Sequence, residues 1–284
     1  MPESEPRQIL NALLKVGLFV LLEIVGLWVF GIVLLPITGY FGAAALSVLL
    51  AAVLANFLVM RIYERTHLAR IGLMWNAGAA RNVLVGLVGG AAAAYVVVGG
   101  PLLVGAAELQ AVPGATTNWR TLLFVSALLL FGAFGEEMFF RGYGFQVLMG
   151  VMGPWGTILP VSMLFGLAHQ GNQNVTTMGL VNTVGWGVVL GYAFLRSGDL
   201  WLPIGLHFAW NWTLPMFGVN LSGFTIRVTG YAVHWKTSAL WSGGDYGPEA
   251  SLLTTLVLVV LLVSLHKAPL LRQRPFLLGA RWED

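Results

Sequence analysis

The sequence predicts an all-α integral membrane protein, a polytopic bundle of about eight transmembrane helices. Hydrophobic residues make up 57% of the 284 residues, and only 10% of the residues are charged. A soluble domain carries roughly 25% charged residues, so these charges are too few to cover a soluble surface. The mean hydropathy of +0.80 supports the same conclusion, which is that the bilayer is the solvent of this chain.

Long apolar runs predict the individual helices. A membrane-spanning helix needs about 20 mostly apolar residues, and several segments reach or approach that length. They are residues 10–36, 41–61, 82–107, 121–148, 155–170, 176–195, 200–217 and 251–267. The fifth and seventh segments are short, and the first is long enough to tilt. We find no internal repeat and no domain boundary, so we expect one membrane domain over residues 1–284, with a motif core at 121–217.

The distribution of Lys and Arg predicts the orientation of the bundle. If the N-terminus is inside, eleven basic residues fall on the cytoplasmic side, namely Arg7, Lys15, Arg61, Arg65, Arg70, Arg81, Arg196, Lys267, Arg272, Arg274 and Arg281. Only Arg120, Arg227 and Lys236 fall outside. Because basic residues accumulate in cytoplasmic loops, we expect a multi-pass protein of the cell (inner) membrane with both termini cytoplasmic.

Composition also excludes several classes of function. The chain has no cysteine, which excludes disulfides, thiol catalysis and cysteine-based zinc sites. The net charge of +3 is explained by membrane topology, so we expect contact with membrane lipids and no nucleic-acid partner. The longest connection, residues 218–250, is rich in aromatic residues and predicts either an interfacial segment or a lid over a site.

The fourth apolar segment carries a motif of charged residues that is expensive to place in lipid. Glu136 and Glu137 are adjacent, and Arg141 follows four residues after Glu137. The i, i+4 spacing puts Glu137 and Arg141 on one helix face, where they can form an ion pair. Glu136 points elsewhere and has no local partner, which makes it a candidate general base for activating water. The alternative is a polar cluster that only locks helices together.

Two further motifs lie in the fifth and seventh segments. His169 ends the sequence Phe165-Gly166-Leu167-Ala168-His169, and His207 and Asn211 share one helix face by their i, i+4 spacing. Imidazole and carboxamide groups can donate hydrogen bonds to a developing oxyanion. Each motif alone fits ordinary interhelical hydrogen bonding, but three segments that all carry inward polar groups indicate a shared site. Glu23 in the first segment has no basic partner at i±4, and we assign it no role.

Together these three motifs resemble those of the CPBP family. This family comprises type II CAAX prenyl endopeptidases of the Ras-converting-enzyme type and bacterial relatives linked to bacteriocin self-immunity and abortive infection. The resemblance covers residues 136–211 and implies an intramembrane glutamic endopeptidase of eight helices, with a cavity open to the cytoplasmic side. It implies that Glu136 and His169 activate water, that His207 and Asn211 form the oxyanion hole, and that Glu137 and Arg141 position the site.

Two alternatives stay open at this stage. In the first, Glu136, His169 and His207 hold a metal ion with water as the fourth ligand, although no H-E-x-x-H helix signature is present. We therefore expect no cofactor and disfavour a metal. In the second, the chain is a non-enzymatic membrane scaffold or an immunity or assembly factor that keeps the polar core. For the enzyme, the partner is a peptide or protein substrate, with or without a lipid, and a membrane protein partner is compatible with the exposed apolar faces.

Overall fold

The computed structural model describes residues 5–279, with side chains from residue 7 onward, so the predicted position of Arg281 lies outside the described residues. Within that range the chain is mainly helical with almost no sheet, which confirms an all-α membrane bundle. The elements are α1 (Glu5–Ile62), α2 (Ala77–Leu103), β1 (Ala107–Ala111), α3 (Trp119–Arg141), α4 (Tyr143–Ala168), α5 (Thr177–Ser197), α6 (Trp201–Met216), β2 (Tyr231–Trp235), α7 (Ala239–Ser242) and α8 (Leu252–Lys267).

Helix α1 is a helical hairpin rather than one straight rod. Gly39 interrupts it with φ 71° and ψ 179°, a backbone conformation that glycine adopts at no steric cost. A Cβ atom on Gly26 would lie 2.9 Å from Cβ of Ala51, so the two arms pack closely against each other. The arms correspond to the predicted segments 10–36 and 41–61.

The predicted fourth segment, 121–148, is wrong as a single helix. Helix α3 ends at Arg141, and α4 begins at Tyr143 after a non-helical Gly142. Helix α4 is itself interrupted at Gly153, which has φ 75° and precedes a proline. Glycine and proline end helices locally, and here the break lets α3 stop inside the bundle directly after Arg141.

Small residues set the packing of α2 against α6. A Cβ atom on Gly86 would lie 2.4 Å from the carbonyl oxygen of Leu202, and one on Gly90 would lie 2.2 Å from that of Leu206. On the facing helix, a Cβ atom on Gly205 would lie 2.6 Å from the carbonyl oxygen of Val83. Glycines of this kind let membrane helices approach until their backbones touch, so α2 holds the helix that carries His207 and Asn211.

The bundle has two chemically different ends. One end, here called the basic end, joins the 62–81 connection, the start of α6 and the C-terminal tail. Leu200 N donates to Gly72 O, and Gln273 N donates to Ser197 O. The other end, here called the loop end, holds the Gly39 turn, the antiparallel β1–β2 pair and the 218–250 connection, whose Phe224 ring packs on Phe41.

Four helical stretches are long and apolar enough to cross a membrane by length and composition, and a shorter apolar helix occupies Leu252–Lys267. The four are Arg7–Ile62, Ala77–Leu103, Trp119–Ala168 and Thr177–Ser197. The first contains both arms of the α1 hairpin, and the third contains α3 and α4. The chain is therefore an integral membrane protein, while the count of eight crossings stays a prediction.

Candidate active site

A cavity of about 690 Å³ lies within the bundle, a volume that suits a small ligand or a few residues of an extended peptide. Its wall is built from both arms of α1, from α3 to α6, and from the 218–250 connection. All four predicted catalytic side chains line it, namely Glu136, His169, His207 and Asn211. The structure thus brings together residues that the sequence places on three separate segments.

Glu137 is the acceptor at the buried base of the site. Its Oε1 atom accepts from Nη1 of Arg141 at 3.1 Å and from Nδ1 of His207 at 2.8 Å. Arg141 also donates through Nη2 to the carbonyl oxygen of Gly187 at 3.0 Å. The side chains of Glu137 and Arg141 are 0% and 1% exposed, so the ion pair expected from their spacing exists and joins α3 to α5 and α6.

Glu136 faces the cavity instead of the ion pair. Its Oε2 atom lies 3.9 Å from Nε2 of His207, which is too long for a direct hydrogen bond. Oε2 is buried and has no hydrogen-bond partner among the described protein groups. A buried carboxylate oxygen normally finds a donor, and here the cavity is the place from which water or a substrate can supply one.

Glu136 and His207 lie at the same depth of the bundle although they belong to different helices. Because α3 ends at Arg141 and α6 begins at Trp201, Glu136 lies in the last turns of one helix and His207 in the second turn of the other. The 3.9 Å separation shows that they share one level of the bundle.

His169 is the C-cap residue directly after α4, so it lies at the end of the helix and not in its middle. Its Nδ1 atom lies 2.8 Å from the carbonyl oxygen of Phe165. A carbonyl oxygen only accepts, so Nδ1 carries the proton, and Nε2 of neutral His169 has a free lone pair. The Phe165 ring also contacts His169 and lies 6.2 Å from the ring of His207, so both histidines lie near the same aromatic ring.

Glu249 is a cavity residue that the sequence analysis missed. It is 7% exposed, and its Oε1 atom accepts from Nε1 of Trp210 at 3.2 Å. Its Oε2 atom accepts from the backbone N–H and from the hydroxyl of Ser222. Burial raises the pKa of Glu249, and the hydrogen bonds from Trp210 and Ser222 offset only part of that rise. An acid directly before the last apolar segment is the signal that could have identified it.

Glu249 fixes the 218–250 connection to the site. Trp210 precedes the predicted oxyanion donor Asn211 in α6, and Ser222 belongs to the part of the connection that lines the cavity. The main chain is held as well, because Asn182 in α5 donates to the carbonyl oxygens of Glu249 and Ser251 at 2.7 and 2.9 Å. The connection is therefore part of the cavity wall.

Two further observations limit the chemistry of the site. Glu23 is 1% exposed, and neither of its carboxylate oxygens has a partner among the described side chains and backbone groups; it does not line the cavity. Within residues 5–279, no group of three or more His, Cys, Asp or Glu side chains is arranged to hold a metal ion. Catalysis without a cofactor stays a prediction.

Comparison with known proteins bears on the same region. Residues 118–213 match the family model described as Rce1-like, type II CAAX prenyl endopeptidase Rce1-like. The resemblance to this family is confirmed. The Rce1-like segment contains α3 to α6 apart from the last residues of α6, and with them the three motifs. Comparisons with curated proteins and with solved structures give no match.

The Rce1-like segment supports a general statement about activity. The family is one of CAAX-type endopeptidases, so the match supports peptide-bond hydrolysis at a membrane and a peptide or protein as the substrate. Glu249 and the 218–250 connection lie outside the matched residues, although they complete the same cavity.

Proposed function

We propose that the chain is an intramembrane endopeptidase in which Glu136 and His169 activate a water molecule for attack on a peptide carbonyl. The observation that carries this proposal is the cavity that Glu136, His169, His207 and Asn211 line together. If the polar cluster only held helices together, the Glu137–Arg141 pair would be enough for that purpose. It would not require a second carboxylate, Glu136, whose Oε2 atom has no hydrogen-bond partner among the described protein groups.

The proposed reaction is ordinary hydrolysis. Water gives a proton to Glu136, assisted by the free Nε2 lone pair of His169, and its oxygen bonds to the peptide carbon. The carbonyl electrons move to oxygen, giving a tetrahedral oxyanion. When the carbon–nitrogen bond breaks, the proton held by Glu136 passes to the leaving amine, so a carboxylic acid and an amine are formed and the enzyme is regenerated.

His207 and Asn211 are placed to stabilise the oxyanion. Nδ1 of His207 donates to Glu137, so Nε2 can donate only when the ring is doubly protonated. When His207 is an imidazolium ion, the charges in the site balance. The two carboxylates of Glu136 and Glu137 then face two cations, Arg141 and His207. Asn211 supplies a neutral donor one turn further along α6. Glu137 and Arg141 position His207 through the shared acceptor oxygen.

The proposed setting is the cell (inner) membrane with both termini in the cytoplasm. The basic end of the bundle holds Arg7, Lys15, Arg61, Arg65, Arg70, Arg81, Arg196, Lys267, Arg272 and Arg274, whereas Arg120, Arg227 and Lys236 lie toward the loop end. This asymmetry matches the preference for basic residues on the cytoplasmic side.

The experiment is peptide cleavage by purified protein in detergent. A proteome-derived peptide library serves as the probe, and mass spectrometry identifies new termini. We expect cleavage by the natural sequence and none by Glu136→Gln or His169→Ala. Glu23→Gln is the matched control, because it makes the same change at a buried carboxylate outside the cavity, and it keeps activity. Cleavage that persists in both site variants contradicts the proposal.

A chelator separates the proposal from the metal-dependent alternative. If Glu136 acts directly on water, cleavage is unchanged by a strong chelator. If the chelator abolishes cleavage and added Zn²⁺ restores it, the metal-free mechanism is contradicted. Loss of activity in Glu136→Gln is expected from both mechanisms and does not separate them.

A further inference from the structure

The cavity that contains Glu136 reaches the surface toward the loop end of the bundle. Its exposed lining residues include Tyr40 and Phe41 beside the Gly39 turn, and Thr225 and Arg227 in the 218–250 connection. Phe124, near the start of α3, is exposed on the same side. These residues form a rim around the route to the four motif side chains.

The opposite side of the site is filled with side chains. Below Glu136, the core contains Phe19, Met60, Met138 and Tyr143, each at most 2% exposed. Polar groups close this side further, because Gln146 donates to Ile71 O at 2.7 Å. At the same end, the buried Asn82 donates to the buried Asp199 at 2.7 Å, and the partly buried Lys15 pairs with Glu64. Among the described residues, none of this basic end lines the cavity.

The closed end of the site is the end that carries most of the positive charge. The 62–81 connection, Arg196 and the C-terminal tail gather there, and their hydrogen bonds to one another fix them at one face. Among the residues that the structure describes, the rim of the cavity has one exposed cation, Arg227. If basic loops are cytoplasmic, the cavity is reached from the other side of the membrane.

We propose that the substrate is a polypeptide that has been translocated across the membrane. An extended apolar segment of this polypeptide enters the cavity from the extracytoplasmic face of the membrane. This inference rests on the proposed function and names the substrate class for the same site. The lining favours apolar residues, because it includes the aromatic side chains of Phe140, Phe165, Trp186 and Phe224. A prenylated tail presented in the cytoplasm would meet the closed end. The family resemblance implies a cavity that opens to the cytoplasm, whereas this charge distribution supports an opening on the opposite side of the membrane.

Single cysteines test the direction of access without requiring activity. The chain has no cysteine, so each variant carries one thiol. Thr225→Cys reports the rim, and His67→Cys reports the exposed basic end. Gly132→Cys reports the cavity wall one turn before Glu136, where a Cβ atom would meet no atom within 4 Å. Ala193→Cys is the buried control away from the cavity. Intact bacterial cells expressing each variant are treated with a small, charged, membrane-impermeant methanethiosulfonate reagent, before and after permeabilisation.

We expect loss of the free thiol of Thr225→Cys and Gly132→Cys in intact cells, loss of the His67→Cys thiol only after permeabilisation, and no loss for Ala193→Cys. If Gly132→Cys, like His67→Cys, reacts only after permeabilisation, the proposal is overturned. If Gly132→Cys does not fold, Leu129→Cys reports the same wall.

The location of natural cleavage sites provides the second readout. New peptide termini that depend on Glu136 are expected in extracytoplasmic segments. Glu136-dependent termini confined to cytoplasmic segments contradict the direction of access while leaving the protease activity intact. A complete lack of Glu136-dependent termini contradicts the proposed function, whereas the thiol reactions still decide which end opens.

Discussion

Nδ1 of His207 lies 2.8 Å from Oε1 of Glu137, across 70 positions of sequence. The same oxygen accepts from Arg141, so one buried atom holds together two helices and orients the ring that faces Glu136. Because of this arrangement, the two neighbouring glutamates have different roles. Glu137 is a structural acceptor at the base of the site, and Glu136 presents its carboxylate to the cavity.

The first prediction concerns the stability of variants at these two positions. Glu137→Ala leaves the buried Arg141 without its acidic partner and removes the acceptor of His207, so it should lower the free energy of unfolding by about 3–5 kcal/mol. Glu136→Ala removes a partly exposed carboxylate with no direct hydrogen bond to His207 and should cost far less. Thermal unfolding in detergent compares them, and equal shifts would argue against the shared acceptor.

The second prediction concerns two glycines on α3. A Cβ atom on Gly135 would lie 2.6 Å from the backbone nitrogen of Leu49, whereas one on Gly132 would meet no atom within 4 Å. Gly135→Ala should therefore push α3 away from α1 and destabilise the protein by about 1–3 kcal/mol. Gly132→Ala is the matched control and should unfold close to the natural temperature. A larger loss for Gly132→Ala would show that the α1–α3 contact is not as close as described.

The third prediction concerns Glu249 as the tether of the 218–250 connection. Glu249→Ala leaves the indole N–H of Trp210 and the backbone N–H of Ser222 without an acceptor. Buried donors without partners cost about 1–3 kcal/mol each, so we expect lower thermal stability and faster proteolysis within residues 218–250. Limited proteolysis followed by mass spectrometry locates the cuts. Ser251→Ala, which removes hydrogen bonds to Thr254 in the first turn of α8 and none to the connection, is the control. Identical cutting in the two variants would be evidence against the tether.

The fourth prediction is a pH dependence of stability. Burial raises the pKa of Glu249 from the ordinary value of 4.5, so above that value the folded state binds more protons than the unfolded state. The free energy of unfolding therefore falls as pH rises from 4.5 toward the folded-state pKa. Glu249→Gln should make this fall shallower, while Asp199, whose pKa burial also raises, keeps part of it. Unfolding temperatures measured across this pH range check the slope, and equal slopes would refute the contribution of Glu249.

The sequence predicted the membrane bundle and the members of the site because the relevant signals are local. Apolar length shows α2 and α5 directly, and i, i+4 spacing shows the Glu137–Arg141 pair. Polar groups are costly to expose to lipid, so those on membrane-spanning segments face the interior of the bundle. On this basis the sequence predicted that four side chains share a site, and the structure places all four in one cavity, namely Glu136, His169, His207 and Asn211.

The features that the sequence analysis missed depend on contacts between distant segments. Gly142, where α3 ends, is one of four glycines in segment 121–148, so the sequence alone does not mark Arg141 as the last residue of the helix. Residues 107–111 form a strand because they pair with 231–235, more than a hundred positions away. Glu249 follows Gly247-Pro248 in a polar connection, and its burial results from the packing of Trp210 and Ser222 around it.

The most direct test of the central claim is a comparison of new peptide N-termini in membranes of cells that express the natural sequence or Glu136→Gln. Mass spectrometry of labelled N-termini gives the readout, and equal amounts of folded protein are confirmed by thermal unfolding. The account predicts a set of termini that is present with the natural sequence and absent with Glu136→Gln. The same termini at equal abundance in both membranes would contradict hydrolysis by water activated at Glu136.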